Sequence, residues 1–470
     1  MSRRTALAVV LALVAGGSFA PGAAGETFVV TKLSDPAPNG CKKNDCSLRE
    51  AIIRANSRAG ADTVVLPNRR KAYRLARPGR NEDNALTGDL DIVNDPLVVK
   101  HRGKGRATVN GRGIDRVFDV LAGAPATFRK LVIKRGRTTE GTEGGGILAN
   151  ANVKVLSSRI VRNRSSDDGG GIGLQGSAGL RLIRSSISRN RTGDSEDGGA
   201  FQTGEGAILV RRSRLTNNVA GDDSGAIHYT ASQASRIVKS TIAGNRAAWG
   251  GGAITQVTGG AEPPLRIVDS TISGNRGVCC GGGAIQLVRG VLRITNSTLA
   301  ANSTDGNGGA IHSIQPAADV ELNAVTVARN VADAENNGVG SGAGLYRNDA
   351  AAFVVANSLL GLNRLGSGQA NDCDGAQKFD TGNHNLISTT APANACDGFG
   401  PASGPNDLLN LAPKIGKLRR NGGPTTTIAL RKGSPAINKA DPASTPARDQ
   451  RGKRRGPKKD IGAYERRVGK

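Results

Sequence analysis

The feature that most limits what this chain can become is a repeat. The pattern Ile-x-x-Ser-x-Ile-x-x-Asn, a short polar loop, then Gly-Gly-Ala-Ile recurs through about half of the sequence, most plainly at 295–311. Its Asn falls at Asn163, Asn190, Asn218, Asn245, Asn275, Asn302, Asn330 and Asn363, with gaps of 27, 28, 27, 30, 27, 28 and 33 residues. So near a constant period means one unit stacked on itself. About 27 residues is too short for an independent domain, yet it suffices for one turn of a coiled chain of short strands.

Aligning the copies on Asn assigns the positions. Eight before it stand Val155, Leu182, Val210, Ile237, Ile267, Ile294, Leu322 and Val355, and three before it stand Ile160, Ile187, Leu215, Ile242, Ile272, Leu299, Val327 and Leu360. Ten before it the residues are again mostly aliphatic, from Val153 and Leu180 onward, and spacing by two puts them on one face of a strand. Five before Asn, seven of eight residues are Ser, the exception being Val325. Stacked coils would turn the aliphatics into core columns and the Ser and Asn into inward ladders whose amides bond to one another. The Asn column is therefore expected to be structural.

Composition agrees. The chain has 470 residues, 66 of them Gly and only 3% aromatic, which suits short strands and tight turns better than a bulky core. Its net charge of +25 is spread along the length, a field that favours anionic polysaccharide, cell-wall polymer or nucleic acid, although outward Arg also solubilises a long sheet surface. Arg3 and Arg4 precede an apolar run over 6–15 and small residues to Gly25, the pattern of an export leader cut after Ala24 or Gly25. That run is too short to span a bilayer. Six Cys fit an oxidising compartment. Cys41 with Cys46 and Cys373 with Cys396 are expected to pair locally, and the adjacent Cys279 and Cys280 leave a vicinal bridge open.

After the leader, Ser47 with Glu50 forms a capping box, and Leu48, Ala51, Ile52 and Ala55 recur at helical spacing, with Gly60 as the stop. Such a helix would cover the end of a repeat array. The run "CSLREAIIRAN" followed by "DTVVLP" resembles the N-terminal signature of CSLREA-type secreted and surface proteins. That resemblance implies a right-handed parallel β-helix. Near the other end, "LRRNGGPTTTIALRKGSPAIN" and "DQRGKRRGPKKDIGAYE" are similar to the choice-of-anchor type of C-terminal region, in which Asp449, Arg451 and Asp460 would fix the cap. A sorting or membrane anchor often follows in that group; none is seen over 466–470, so a released, monomeric protein is expected. The expected organisation is a leader over 1–25, an N-terminal cap over 26–89, an all-β right-handed parallel β-helix over 90–410 and a C-terminal capping region over 411–470.

Chemistry is sought in the loops after each Asn. Four residues before the next apolar position stand Glu143, Asp168, Asp197 and Asp223; five before stand Asp167, Glu196 and Asp222. Carboxylates at the coil spacing repel by about 1–3 kcal/mol at an effective dielectric near that of protein surfaces. They invite a cation, and calcium accepts several carboxylate oxygens in a flexible shell. Asp168, Asp197 and Asp223 are its expected ligands. Trp249, the only Trp, continues the stripe as a sugar platform, and Asp167, Asp168, Glu196, Asp197, Asp222 and Asp223 are the candidates for acid–base work on a glycan. Arg164, Arg191, Arg246 and Arg276 follow the ladder Asn directly and would neutralise the stripe without metal or substrate. His228 and His312 share a column but stand three coils apart, roughly 14 Å, too far for one metal. No zinc spacing, nucleophile elbow or phosphate loop is present. Two function classes follow: a secreted structural or adhesion protein that binds polymer without catalysis, which the resemblance favours, or a polysaccharide lyase or glycoside hydrolase.

Overall fold

The stacking period becomes a parallel β-solenoid. The structure, a computed structural model, describes residues 24–466 apart from 81, 260–262, 349–351, 392–395 and 400–403. The expected leader thus lies almost wholly outside the described residues.

One coil shows how the sequence sets the path. Leu180–Ile183 buries Leu180 and Leu182; Ser185 turns the chain; Ser186–Ser188 buries Ile187; Asn190 turns it again; a polar loop follows, and Phe201–Gln202 closes the coil. Every strand pairs in parallel with its equivalent one coil on, as in Leu182 with Val210, Ile187 with Leu215 and Phe201 with Ile227. Three long sheets result, here called the long sheet, the Asn sheet (13 strands) and the Gly sheet, after their positions in the repeat. A short fourth sheet of five strands, Arg246–Ala247 to Arg364–Leu365, lies just past the Asn turn. Ile285–Thr295 runs from the Gly sheet into the long sheet without a break. Aliphatic columns fill the interior from Phe28 to Ile387.

The polar ladders form as the repeat implies. Asn163 Nδ2 donates to Asn190 Oδ1 at 3.0 Å, and the same bond recurs from coil to coil until Asn363 Nδ2 donates to Asp372 Oδ1 at 2.8 Å. Each Asn side chain also bonds the backbone of the preceding coil twice, as Asn245 does with Leu215 O and Asn218 N. The Ser column works similarly, Ser185 N donating to Ser213 Oγ at 3.2 Å.

Parallel pairing reaches back before residue 90: Thr27–Val29 pairs with Asp62–Leu66, which pairs with Leu97–His101. The helix Leu48–Asn56 is inserted between the first two of these strands, capping box included, and ends at Asn56 on a Ser57 cap, ahead of Gly60. Its buried Arg49 reaches the carbonyls of Ala85, Thr87, Gly88 and Asp89 at 2.8–3.0 Å and the carboxylate of Asp35 at 2.8 Å. One guanidinium therefore fixes the whole 85–89 loop. Cys41 is bonded to Cys46, Cys279 to Cys280 and Cys373 to Cys396.

The C-terminal region packs along the flank of the solenoid. Its hairpin, Ile415–Arg419 with Thr427–Leu430, and Ala436, Ala440 and Ile461 bury a second apolar cluster against Ala300, Ala328, Leu359 and Leu386, the outward positions of the last Asn-sheet strands. In earlier coils the corresponding strands expose Arg159 and Arg214. Gln450 donates to Ser270 O at 3.0 Å and accepts from Thr298 Oγ1 at 2.6 Å. Asp449 and Arg451 pair in the interior of this segment, with Arg451 3.6 Å from the Tyr464 ring centre, and Asp460 accepts the N–H groups of Asn438 and Arg466. Among the described residues no helix is long and apolar enough to cross a membrane.

Candidate functional site

The acidic loops lie beside the outward face of the Gly sheet. After each acid a residue with positive φ, Gly144, Gly169, Gly198 or Ser224, turns the chain into that sheet. The Gly that follows must stay bare: a Cβ on Gly170 would stand 2.7 Å from Gly199 O in the following coil. The acids are therefore held at coil spacing by turn and stack alike.

The carboxylates point along the solenoid axis. Asp168 Oδ1 accepts the N–H of Asp197 at 2.6 Å, Asp197 Oδ1 that of Asp223 at 2.7 Å, and Asp223 Oδ1 that of Gly250 at 2.6 Å. Each of the three expected calcium ligands thus has one oxygen committed to backbone. The second oxygen of Asp197 meets His228 Nδ1 at 2.8 Å. The groups whose oxygens converge within 4.8 Å are Asp167, Asp168 and Glu196. That trio is an all-oxygen set suited to calcium. It is closer than the roughly 6.5–9.5 Å that an inverting glycosidase leaves for its water.

The arginine alternative does not form. Among the described residues the cation within ion-pairing reach of these six acids is His228. Arg191 turns to Asp194 at 3.3 Å and Arg276 to Asp305 at 3.0 Å. The Arg column faces outward from the short fourth sheet, while the acids lean toward the next coil.

Crowding shows in the protonation. Burial, reinforced by the Asp197 carboxylate and opposed by their backbone N–H donors, raises Asp168 and Asp223 to about 6. Partial burial and the nearby Asp167 and Asp168 hold Glu196 up to about 7, and burial with Asp168 does the same to Glu143. Burial also raises Asp222. Burial opposes the charge on His228, but the hydrogen bond and field of Asp197 outweigh it and lift the imidazole above its ordinary value. Trp249 stands at the end of the stripe, 55% exposed, its backbone N–H on Asp222 O at 3.2 Å.

His228 is the residue that sequence spacing undervalued, because its partner Asp197 lies in the preceding coil and only strand register brings them together. His312 is buried, held down to about 4, and packs on Tyr346.

A second feature lies on the long sheet. In register from coil to coil stand Lys154, Arg181, Leu209, Arg236, Arg266 and Arg293. Beside them an open groove of about 810 Å³ is lined by Lys154, Arg181, Arg236, Asn152, Ser177 and Gln233. Arg135, Arg162 and Arg189 continue the basic surface at the Asn turns, and Arg137, Arg164 and Arg191 bridge one to the next. In the ladder the carboxylate partner comes at its far end, Arg293 with Glu321 at 3.1 Å.

No protein-family model matches this chain, and no curated protein is similar to it in sequence. Among solved structures, a crystal structure of the pectate lyase Pel9A is similar over 95% of this chain and 98% of that one, at 14% identity and a TM-score of 0.45.

Proposed function

We propose that this chain is a secreted, CSLREA-type β-helix protein that binds an acidic polysaccharide or comparable cell-wall polyanion along its basic face, without cleaving it. The observation that carries this reading is the ladder Lys154, Arg181, Arg236 and Arg266, interrupted by Leu209 and without a carboxylate in ion-pairing reach among the described residues, its first three cations lining an open groove. Like charges stacked about 4.8 Å apart repel, and an extended polyanion relieves that repulsion at several points at once. Asn152, Ser177 and Gln233 supply the polar contacts that a sugar chain needs. Three disulfides suit an oxidising compartment.

The test is retention on immobilised polygalacturonate over a salt gradient. Arg181→Glu with Arg236→Glu should release the protein at distinctly lower salt and weaken binding at least tenfold, with the polymer recovered at unchanged length. Unchanged retention of the double variant would remove the groove from the account.

A second reading has its own observation. Glu196, its carboxyl raised to about 7 beside Asp167 and on the same stripe as exposed Trp249, has the makings of a general acid in a glycan-cleaving site. In that reading Asp167 and Asp168 would flank the acid and Asp197 would orient His228; calcium on the Asp167, Asp168 and Glu196 trio would compete with the proton. Failure to shorten any acidic polymer, with or without calcium, disposes of it.

A further inference from the structure

We infer that the first coils contain a buried site for a hard divalent cation, calcium by its chemistry, held by Asp89, Asp91 and Asp119. Asp91 and Asp119 occupy paired positions on neighbouring Gly-sheet strands, Leu90–Ile92 and Phe118–Val120, and Asp89 immediately precedes the first. Each offers a carboxylate oxygen, and these oxygens lie within 4.8 Å of one another. All three are sealed in: Asp89 is 4%, Asp91 1% and Asp119 7% exposed.

Acidic residues in company are common, so the partners of every oxygen matter. Asp91 Oδ2 accepts the Ala85 N–H at 2.6 Å. Asp119 Oδ2 takes Arg116 Nη1 at 2.7 Å, and Asp89 Oδ2 takes the same nitrogen at 3.3 Å. Asp91 Oδ1 and Asp119 Oδ1 are closed off from solvent and accept no hydrogen bond. An anionic oxygen without a donor in the interior is costly, and two in adjacent coils call for a shared positive partner. Arg116 is the cation at hand, and Asp115, itself buried, draws on the same guanidinium field. Three carboxylates, Asp89, Asp115 and Asp119, thus share one guanidinium, with Glu82 and Asp83 adding negative field around Asp91 and Asp119.

Oxygen-only donors select a hard ion over zinc or copper. Calcium tolerates an irregular shell, whereas magnesium demands octahedral geometry and keeps several waters. The site also explains the Arg49 clamp. By fixing the carbonyls of 85–89, Arg49 sets the loop that delivers Asp89 and Asp91. The cap helix and the first two coils would then share one ion. Leu148, next in register after Asp119, separates this site from the acidic stripe.

The experiment measures calcium retained by the full secreted chain after dialysis into metal-free buffer at neutral pH, by elemental analysis. The wild type and a stripe variant, Asp167→Asn with Glu196→Gln, should each keep one ion per chain, and Asp91→Asn should keep none. A wild type that holds no ion overturns the inference, as does an Asp91→Asn protein that keeps it. Should Asp91→Asn fail to fold, thermal melting of the chelator-treated stripe variant with and without added calcium decides. Calcium should raise its melting temperature, and a melt that calcium leaves unmoved overturns the site.

Discussion

Replacing Asn245 with Ala tests the scaffold where it is most regular. Asn245 Nδ2 donates to Leu215 O at 3.1 Å and to Asn275 Oδ1 at 2.9 Å, and its Oδ1 accepts from Asn218 N at 3.0 Å and Asn218 Nδ2 at 2.9 Å. The methyl group removes all four bonds. Asn275 Oδ1 keeps the Asn245 N–H, so the losses fall on the Asn218 N–H, the Asn218 amide and Leu215 O. At about 1–3 kcal/mol for each buried group left without a partner, two or three such groups cost ~3–6 kcal/mol. Guanidinium unfolding of the full chain, followed by circular dichroism, measures it against Arg214→Ala, an exposed strand change expected to stay within about 0.5 kcal/mol. Neighbour-only coupling adds a second expectation: the transition should broaden or split as the two halves of the array lose register. A loss below about 1 kcal/mol would show that the ladder amides do not hold the coils together.

Other outcomes follow from the acidic edge. Asp168, Asp223 and Glu196 sit higher in the fold than their ordinary carboxyl values, so the folded chain binds more protons than the unfolded one between about 4 and about 7. Without added cation, stability should therefore fall as pH rises through that window, and Asp223→Asn should flatten the slope in a melting series. For His228, a proton titration followed by NMR should give a midpoint above the ordinary imidazole value, dropping in Asp197→Asn because only the fields of Asp168 and Asp223 then oppose burial. An unmoved midpoint would mean that Asp197 does not hold the proton.

The repeat made the core legible because each column needed only a count from Asn. Ile187, Leu215 and Ile242 could be placed without knowing how strands twist. The Ser47 and Glu50 box was legible for the same reason, being entirely local. What escaped depends on register between different parts of a coil. Asp197 and His228 are 31 positions apart and belong to different coils, so no fixed spacing announces them. Asp89, Asp91 and Asp119 lie where the repeat is still irregular, and the alignment that organises the later loops does not reach them. The arginines were misjudged differently: proximity along the chain to the acids said nothing about direction, and the two sets point apart. The C-terminal flank was written in the loss of Arg at outward positions, from Arg159 and Arg214 to Ala300 and Leu359.

That flank has a consequence in time. Gln450 bonds Ser270 across 180 residues, and Arg455 reaches Asn296 across 159. Coils can close one after another as the chain emerges, each needing only its predecessor. The downstream coils, however, keep a bare apolar stripe at Ala300, Ala328 and Leu359 until the last residues arrive. A ribosome that stalls before that segment would hold a solenoid with one sticky side. The tail is thus the step that makes the molecule safe to release.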